Sequence, residues 1–103
     1  MVKEITNDNF NETVKDGVSL IKFGAPWCGP CRQLAPIIDK LAEKFNGTAI
    51  IGDVNVDNNQ ELAAQFSIRS VPTTIVFKDG EEVDRTLGFI GADSLTEKIN
   101  KIL

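Results

Sequence analysis

The chain contains two cysteines, Cys28 and Cys31, which are separated by Gly29 and Pro30 and preceded by Trp27. Two thiols this close can form a disulfide without moving the fold, so the pair can take up or release two electrons. The pair follows an apolar run and comes directly before a helical pattern, where a thiol can be made reactive. This placement favours dithiol–disulfide exchange.

A structural disulfide and half of a metal site are the other interpretations of the pair. In the chain-entropy model, closing so short a loop stabilises a fold by only about 2 kcal/mol, a modest gain for a motif expected on an exposed loop. The chain has no histidine, so zinc would find two good ligands where structural zinc sites need four. Redox exchange is favoured and no metal is expected, although both alternatives remain open.

The expected position of Cys28, just before a helix, indicates different chemical roles for the two thiols. Free backbone N–H groups and the positive end of the helix dipole would stabilise a thiolate at Cys28. Cys31 lies three residues further along, on the same helix face and less exposed. We therefore predict that Cys28 attacks a target disulfide and that Cys31 resolves the mixed disulfide. Arg32 adds a positive charge whose effect in water is small.

Length, charge and hydropathy limit the other function classes. The chain has 103 residues and a net charge of -4, which predicts one domain over residues 1–103. Scattered lysines and arginines argue against a nucleic-acid partner. No apolar run approaches the roughly 20 residues that cross a bilayer, and residues 1–8 lack the apolar stretch of a signal peptide. We expect a cytoplasmic protein without a membrane partner, in a compartment that keeps thiols reduced.

Strands and helices alternate along the chain, and a hairpin precedes the last helix. The predicted strands are 2–5, 19–23, 49–56, 73–77 and 82–87. The first predicted helix is capped by a residue at 7–9 and runs to about residue 15, and the others are 31–45, 61–66 and 94–103. Asp57 or Asn58 is expected to open the third helix, and Gly80 to turn the hairpin. The order βαβαβαββα predicts an α/β fold with a central mixed five-stranded sheet flanked by four helices. The cysteines follow the second strand, at the carboxyl edge where such sheets react.

Four segments in register resemble the thioredoxin family over essentially the whole chain. They are Trp-Cys-Gly-Pro-Cys at 27–31, a proline at 36, Val-Pro-Thr at 71–73 and Phe-Lys-Asp-Gly at 77–80. The resemblance implies a thioredoxin-like fold and a protein disulfide reductase, with a reversible Cys28–Cys31 disulfide and no bound cofactor. Gly29 and Pro30 are typical of the reducing members.

The resemblance also implies partners and a docking surface. Electrons would come from an NADPH-dependent, flavin-containing thioredoxin reductase and pass to disulfide-containing target proteins, with the chain acting as a monomer. The Val71–Pro72 peptide would be cis beside Cys28, and Pro72 would keep metals from the thiols. The docking surface would comprise Trp27, Gly29, Pro30, Val71 and Gly88. Phe89 would extend it; the alternatives are partial core packing of Phe89 and a plain turn at Pro72.

The chain departs from the family at one pair of charges. Thioredoxins usually place an aspartate six residues before the first cysteine and a lysine in the third strand, where this chain has Lys22 and Asp53. Both interrupt apolar runs, and an unpaired buried charge is very costly. Since strands joined by one crossover helix are commonly neighbours, we expect a polarity-reversed ion pair beneath the disulfide.

The reversal bears on proton transfer. The family resemblance implies that a buried carboxylate relays protons to the resolving cysteine. Here Asp53, through water, or a neutral Lys22 would have to do so, and a pair that only satisfies itself is the alternative. Gly24 stands where an aromatic residue is common, which would let water reach Lys22.

Three rival functions remain open at this point. The chain could be a binding module that keeps the fold as a subunit or processivity clamp, a glutaredoxin-type enzyme that uses glutathione, or a metal-binding domain. Residues 29 and 30 argue against the glutaredoxin type.

Overall fold

The structure is a computed structural model that describes residues 2–103 of the chain. Its elements, in chain order, are β1 (Lys3–Glu4), α1 (Phe10–Val14), β2 (Val18–Gly24), α2 (Gly29–Lys44), β3 (Ala49–Asn55), α3 (Gln60–Gln65), β4 (Thr73–Lys78), β5 (Glu81–Leu87) and α4 (Ala92–Asn100). The predicted order βαβαβαββα is confirmed. Most predicted bounds differ by one to three residues, because the ends of elements fray.

The strands form one mixed sheet in the order β1-β3-β2-β4-β5. β1, β3 and β2 run parallel, whereas β4 pairs antiparallel with β2 and with β5. The β4–β5 hairpin turns at Asp79 and Gly80, whose φ angles are 49° and 87°. Two consecutive positive φ angles suit a two-residue hairpin turn, in which glycine and aspartate are favoured. The predicted mixed α/β sheet is confirmed.

Two apolar layers cover the two faces of the sheet. Successive residues of β2 point to opposite faces, so Leu20 packs in one layer and Ile21 in the other. The first layer joins the sheet to α2 and α4 through Leu34, Ile38, Leu41, Leu95 and Ile99. The second joins it to α1 and α3 through Phe10, Val14 and Leu62. By the same alternation, Lys22 points to the face that α2 covers.

The helix that carries the cysteines begins earlier than the sequence predicts. α2 starts at Gly29 rather than at Cys31, and Cys28 is its N-cap. Pro30 lies in the first turn, where its missing N–H leaves no hydrogen bond unmade, and Pro36 lies inside the helix. Both cysteines are therefore held at the helix N-terminus.

The predicted start of α3 is wrong. The helix is opened by Asn59 rather than by Asp57 or Asn58, because these two residues form the turn that leaves β3. Asn58 N donates to Asn55 O in that turn. The buried Asn59 side chain links the turn to the N-terminal segment, since its Oδ1 accepts from Asn7 N at 3.0 Å.

Candidate active site

Cys28 and Cys31 are joined by a disulfide at the N-terminus of α2, with their Cα atoms 5.2 Å apart. The first amides of a helix have no partner within the helix, and one of them meets the Cys28 sulfur. Cys31 N donates to Cys28 Sγ at 3.2 Å. The sequence prediction that this sulfur faces a free backbone N–H is confirmed.

Both cysteines are less accessible than an exposed loop implies. Cys28 retains 5% of its possible exposed area and Cys31 2%, so the expected order holds by a small margin only. The surface around them is open, because Trp27 and Pro30 are exposed. The small exposed area that the pair retains is thus larger at Cys28 than at Cys31.

The loop before β4 lies against the disulfide. The Val71–Pro72 peptide bond is cis, as the family resemblance implied. Cys28 Sγ lies 3.7 Å from Val71 O; the disulfide has no S–H, so this approach becomes a hydrogen bond only in the thiol state. On the other side, Gly88 N donates to Pro72 O at 2.8 Å. Val71 of the predicted docking surface thus lies against Cys28, and Gly88 is hydrogen-bonded to the residue that follows Val71.

A shallow groove of about 620 Å³ runs from Trp27 to Val71. Its other wall comes from α3 and the loop after it, including Ala63, Ala64 and Ile68. These residues could not be predicted from the sequence, since small apolar side chains on a short helix carry no chemical signature. The sequence also carried no sign that Asp57 belongs to the site, where its Oδ2 accepts from Trp27 Nε1 at 2.9 Å.

Phe89 continues the exposed apolar surface beyond Gly88. Its side chain is exposed and lies outside both apolar layers, in contrast to the partial core packing considered above. Leu87, at the end of β5, is exposed as well. Leu87 and Phe89 thus flank Gly88 with exposed apolar side chains.

Lys22 and Asp53 are direct partners in the register of β2 and β3. Lys22 Nζ lies 3.7 Å from Asp53 Oδ1, and it donates to Cys31 O at 3.1 Å. The predicted ion pair beneath the disulfide is confirmed. The expectation that both charges are buried is wrong: the side-chain exposure is 7% for Lys22 but 48% for Asp53, because a cleft beside α2 opens at Asp53.

Burial still dominates the protonation of Asp53. Desolvation raises the pKa of its carboxyl group above the ordinary value, and the opposing attraction of Lys22 is the smaller effect. Asp39 and Glu4 raise this pKa further by like-charge repulsion. Asp53 is thus placed to take up a proton more readily than an exposed aspartate does.

The cleft has a volume of about 180 Å³ and lies on the α2 side of the disulfide. Lys22, Cys31 and Asp53 all line it. Gly24 leaves this space, since a Cβ atom there would stand 3.0 Å from Lys22 Cε and 3.1 Å from Cys31 Sγ. Arg32 lies at the same cleft and donates from Nη1 to Pro26 O at 2.9 Å.

Metal-ligand clusters and membrane-spanning helices are both absent from residues 2–103. Within this part of the chain, no group of three or more metal-ligating side chains occurs. No helix described here is long and apolar enough to cross a membrane.

The known proteins that this chain resembles over nearly its whole length are thioredoxins. The family model described as Thioredoxin matches residues 1–101. A thioredoxin of Staphylococcus haemolyticus is 44% identical over 102 residues, 99% of this chain and 98% of the relative. A thioredoxin of Staphylococcus aureus is 41% identical with the same coverage.

The likeness extends to a solved structure. A mutant thioredoxin from Halobacterium salinarum superimposes with a TM-score of 0.90 at 33% identity, covering 97% of this chain and 88% of that one. The matched residues include the joined cysteines, so Cys28–Cys31 is the redox-active dithiol/disulfide of a thiol-disulfide oxidoreductase. The chain belongs to the thioredoxin family.

Proposed function

We propose that this chain is a cytoplasmic protein disulfide reductase in which Cys28 is the attacking thiol and Cys31 the resolving thiol. The observation that carries the assignment is the hydrogen bond from Cys31 N to Cys28 Sγ. A backbone amide at a helix N-terminus stabilises a thiolate on the sulfur that it contacts. Cys28 also retains the larger exposed fraction of the two cysteines.

The two steps conserve electrons and protons. The Cys28 thiolate attacks one sulfur of a target disulfide, forms a mixed disulfide with it and releases the other sulfur as a thiolate. The Cys31 thiol loses its proton and attacks Cys28 Sγ, so the Cys28–target bond breaks and the target leaves as a second thiolate. Two electrons pass from the dithiol to the target, and Cys28 and Cys31 become joined.

The docking surface follows from the groove and from the loop beside Cys28. Val71 offers backbone groups to an extended segment of the target, in the manner of an added strand. Pro72 covers the disulfide from the same side and keeps metal ions from the thiols. The surface is formed by Trp27, Gly29, Pro30, Val71, Pro72, Gly88 and Phe89.

Proton transfer during resolution is assigned to the cleft. Asp53 takes the proton from the Cys31 thiol through water, in the place of the family's buried carboxylate, and a neutral Lys22 is the alternative relay. If Asp53→Asn leaves the pH dependence of disulfide exchange unchanged, Asp53 is not the relay.

Family membership supports disulfide-containing target proteins and a reductase as the classes of partner. The finer assignment is a flavin-containing reductase that uses NADPH. The chain works as a monomer and as one domain over residues 1–103, without a bound cofactor, a nucleic-acid partner or a membrane partner.

A turnover assay tests the proposal. With NADPH and a bacterial thioredoxin reductase, the protein should catalyse reduction of a disulfide-bonded protein, and Cys28→Ser should abolish turnover. A Cys28→Ser, Cys31→Ser double variant that keeps full biological activity would point to a binding module instead. Turnover that depends on glutathione and glutathione reductase would point to the glutaredoxin type.

A further inference from the structure

We infer that Lys22 is a positioning residue for the resolving step, in which its ammonium group stabilises the thiolate of Cys31 from beneath α2. This assignment rests on the proposed roles of Cys28 and Cys31. It differs from a proton relay, because Lys22 acts by its charge and keeps its proton. It reverses the sign of the charge that the family usually buries under the disulfide.

The geometry holds the ammonium group close to the Cys31 sulfur. Lys22 Nζ donates to the backbone carbonyl of Cys31 at 3.1 Å. A Cβ atom added to Gly24 would stand 3.0 Å from Lys22 Cε and 3.1 Å from Cys31 Sγ. Cε and Sγ are therefore no more than roughly 6 Å apart. The ammonium nitrogen is one bond beyond Cε and contacts the backbone of Cys31, so its charge acts on the sulfur at short range.

The unequal burial of the ion pair makes the positive charge the effective one. Lys22 is shielded from solvent, whereas Asp53 is half-exposed at the mouth of the cleft and 3.7 Å from the ammonium group. Water screens Asp53 more strongly than Lys22. A new negative charge on Cys31 is thus met first by the ammonium group.

The other charged groups at the cleft do not replace this charge. From α2, Arg32 lies at the cleft but its guanidinium is bonded to Pro26 O on the surface. Asp39 of α2 and Glu4 of β1 act on Asp53 by repulsion. Lys22 is the buried cation among the charged residues that line this cleft.

The Cys31 sulfur becomes an anion just before it attacks Cys28 Sγ. Its proton leaves to water in the cleft and from there to Asp53 or to the bulk. The ammonium group lowers the free energy of the thiolate at that moment, so the resolving step is the step that Lys22 accelerates. The first attack, by Cys28, depends on the helix amides instead.

A small aromatic disulfide that releases a coloured thiolate separates the two steps. Reaction with the reduced protein gives one equivalent of thiolate when Cys28 attacks and a second when Cys31 resolves. Lys22→Gln keeps a hydrogen-bond donor and removes the charge, so we expect its second phase at pH 7 to slow about tenfold with the first phase unchanged. Lys22→Arg should restore the second phase.

A titration provides a readout that a purely structural role would not move. In the Cys28→Ser background, the ultraviolet absorbance of the Cys31 thiolate gives its ionisation midpoint. The midpoint should rise by about one pH unit in Lys22→Gln and stay unchanged in Lys40→Gln, a matched control on the exposed side of α2. Should Lys22→Gln fail to fold, Asp53→Asn serves instead and should lower the midpoint.

The outcomes are distinct. An equal midpoint and an equal second phase in Lys22→Gln and the parent overturn the role of Lys22. In the event that Lys22→Gln does not fold, an unmoved or raised midpoint in Asp53→Asn overturns it. A first phase that survives Cys28→Ser counts against the proposed function and leaves the electrostatic effect on Cys31 measurable.

Discussion

Lys22 and Asp53 stand opposite each other across β2 and β3, with Lys22 Nζ 3.7 Å from Asp53 Oδ1. The cation is covered and bonded to the carbonyl of Cys31, whereas the carboxylate is at the mouth of the cleft. The buried charge bonded to the resolving cysteine is therefore positive. This relationship distinguishes the chain from the usual arrangement of its family.

The raised pKa of Asp53 predicts how stability changes with pH. Because the folded state binds this proton more tightly than the unfolded state, ionising Asp53 opposes folding. As the pH rises from about 3 to about 7, wild type should lose free energy of unfolding relative to Asp53→Asn. Denaturant midpoints of both proteins across this range measure the difference. If wild type instead gains free energy of unfolding relative to Asp53→Asn as the pH rises, the attraction of Lys22 outweighs burial.

The ion pair between α4 and β5 should behave in the opposite way. Lys98 Nζ lies 2.6 Å from Asp84 Oδ2, and this hydrogen bond lowers the pKa of Asp84. A lowered carboxyl pKa contributes stability that is lost as the pH falls through it. Asp84→Asn should therefore lower the free energy of unfolding by about 0.5 kcal/mol at neutral pH and leave it unchanged at a pH near 2. Urea unfolding at the two pH values measures the difference. Lys98→Gln is the matched control, and a loss independent of pH would contradict the electrostatic origin.

Gly52 allows β3 to lie close to Ile5 and Ile21. A Cβ at Gly52 would stand 2.6 Å from Ile5 Cγ1 and 3.0 Å from Ile21 Cδ1, and both isoleucines are fully buried. Gly52→Ala should lower the free energy of unfolding by about 1–3 kcal/mol, since an overpacked core cannot relax without strain. Gly91→Ala, with no atom within 4 Å of the new Cβ, controls for the general effect of the change. An equal loss in the two variants would contradict the steric explanation.

Trp27 should matter for protein substrates rather than for the exchange reaction itself. Its ring is exposed beside the groove, and its Nε1 donates to Asp57 Oδ2. Exposed aromatic anchors carry much of the energy of a protein interface, so Trp27→Ala should slow reduction of a disulfide-bonded protein about tenfold. The reaction of Cys28 with a small aromatic disulfide should change less than about twofold. Trp27→Phe, which loses the hydrogen bond and part of the ring area but keeps an exposed aromatic side chain, should be nearly normal; equal losses on both substrates would exclude a docking role.

The element order could be predicted from the sequence because each element has a clear period or boundary. The apolar residues Leu34, Ile38 and Leu41 recur at helical spacing, and Gly80 marks the hairpin turn. The Lys22–Asp53 pair was predictable for a similar reason, since two charges within apolar strands need each other. The local residue pattern was sufficient to predict the elements, and the cost of desolvating a charge was sufficient to predict the pair.

Tertiary packing decided what the sequence could not predict. Asp53 was expected to be buried. Its exposure depends on how much of strand β3 is covered by helix α2. The wall of the groove at Ala63 and Ile68 appears only when α3 is placed beside the loop at Val71. The burial of Cys28 likewise depends on that loop, which is distant from it in sequence.

Trapping the mixed disulfide is the sharpest test of the roles assigned to Cys28 and Cys31. Reduced Cys31→Ser should be mixed with a disulfide-bonded protein, and the products analysed by mass spectrometry with and without a reducing agent. The account predicts a covalent adduct through Cys28 that persists until the reducing agent is added, and no catalytic turnover. The absence of an adduct, or continued turnover without Cys31, would contradict the account.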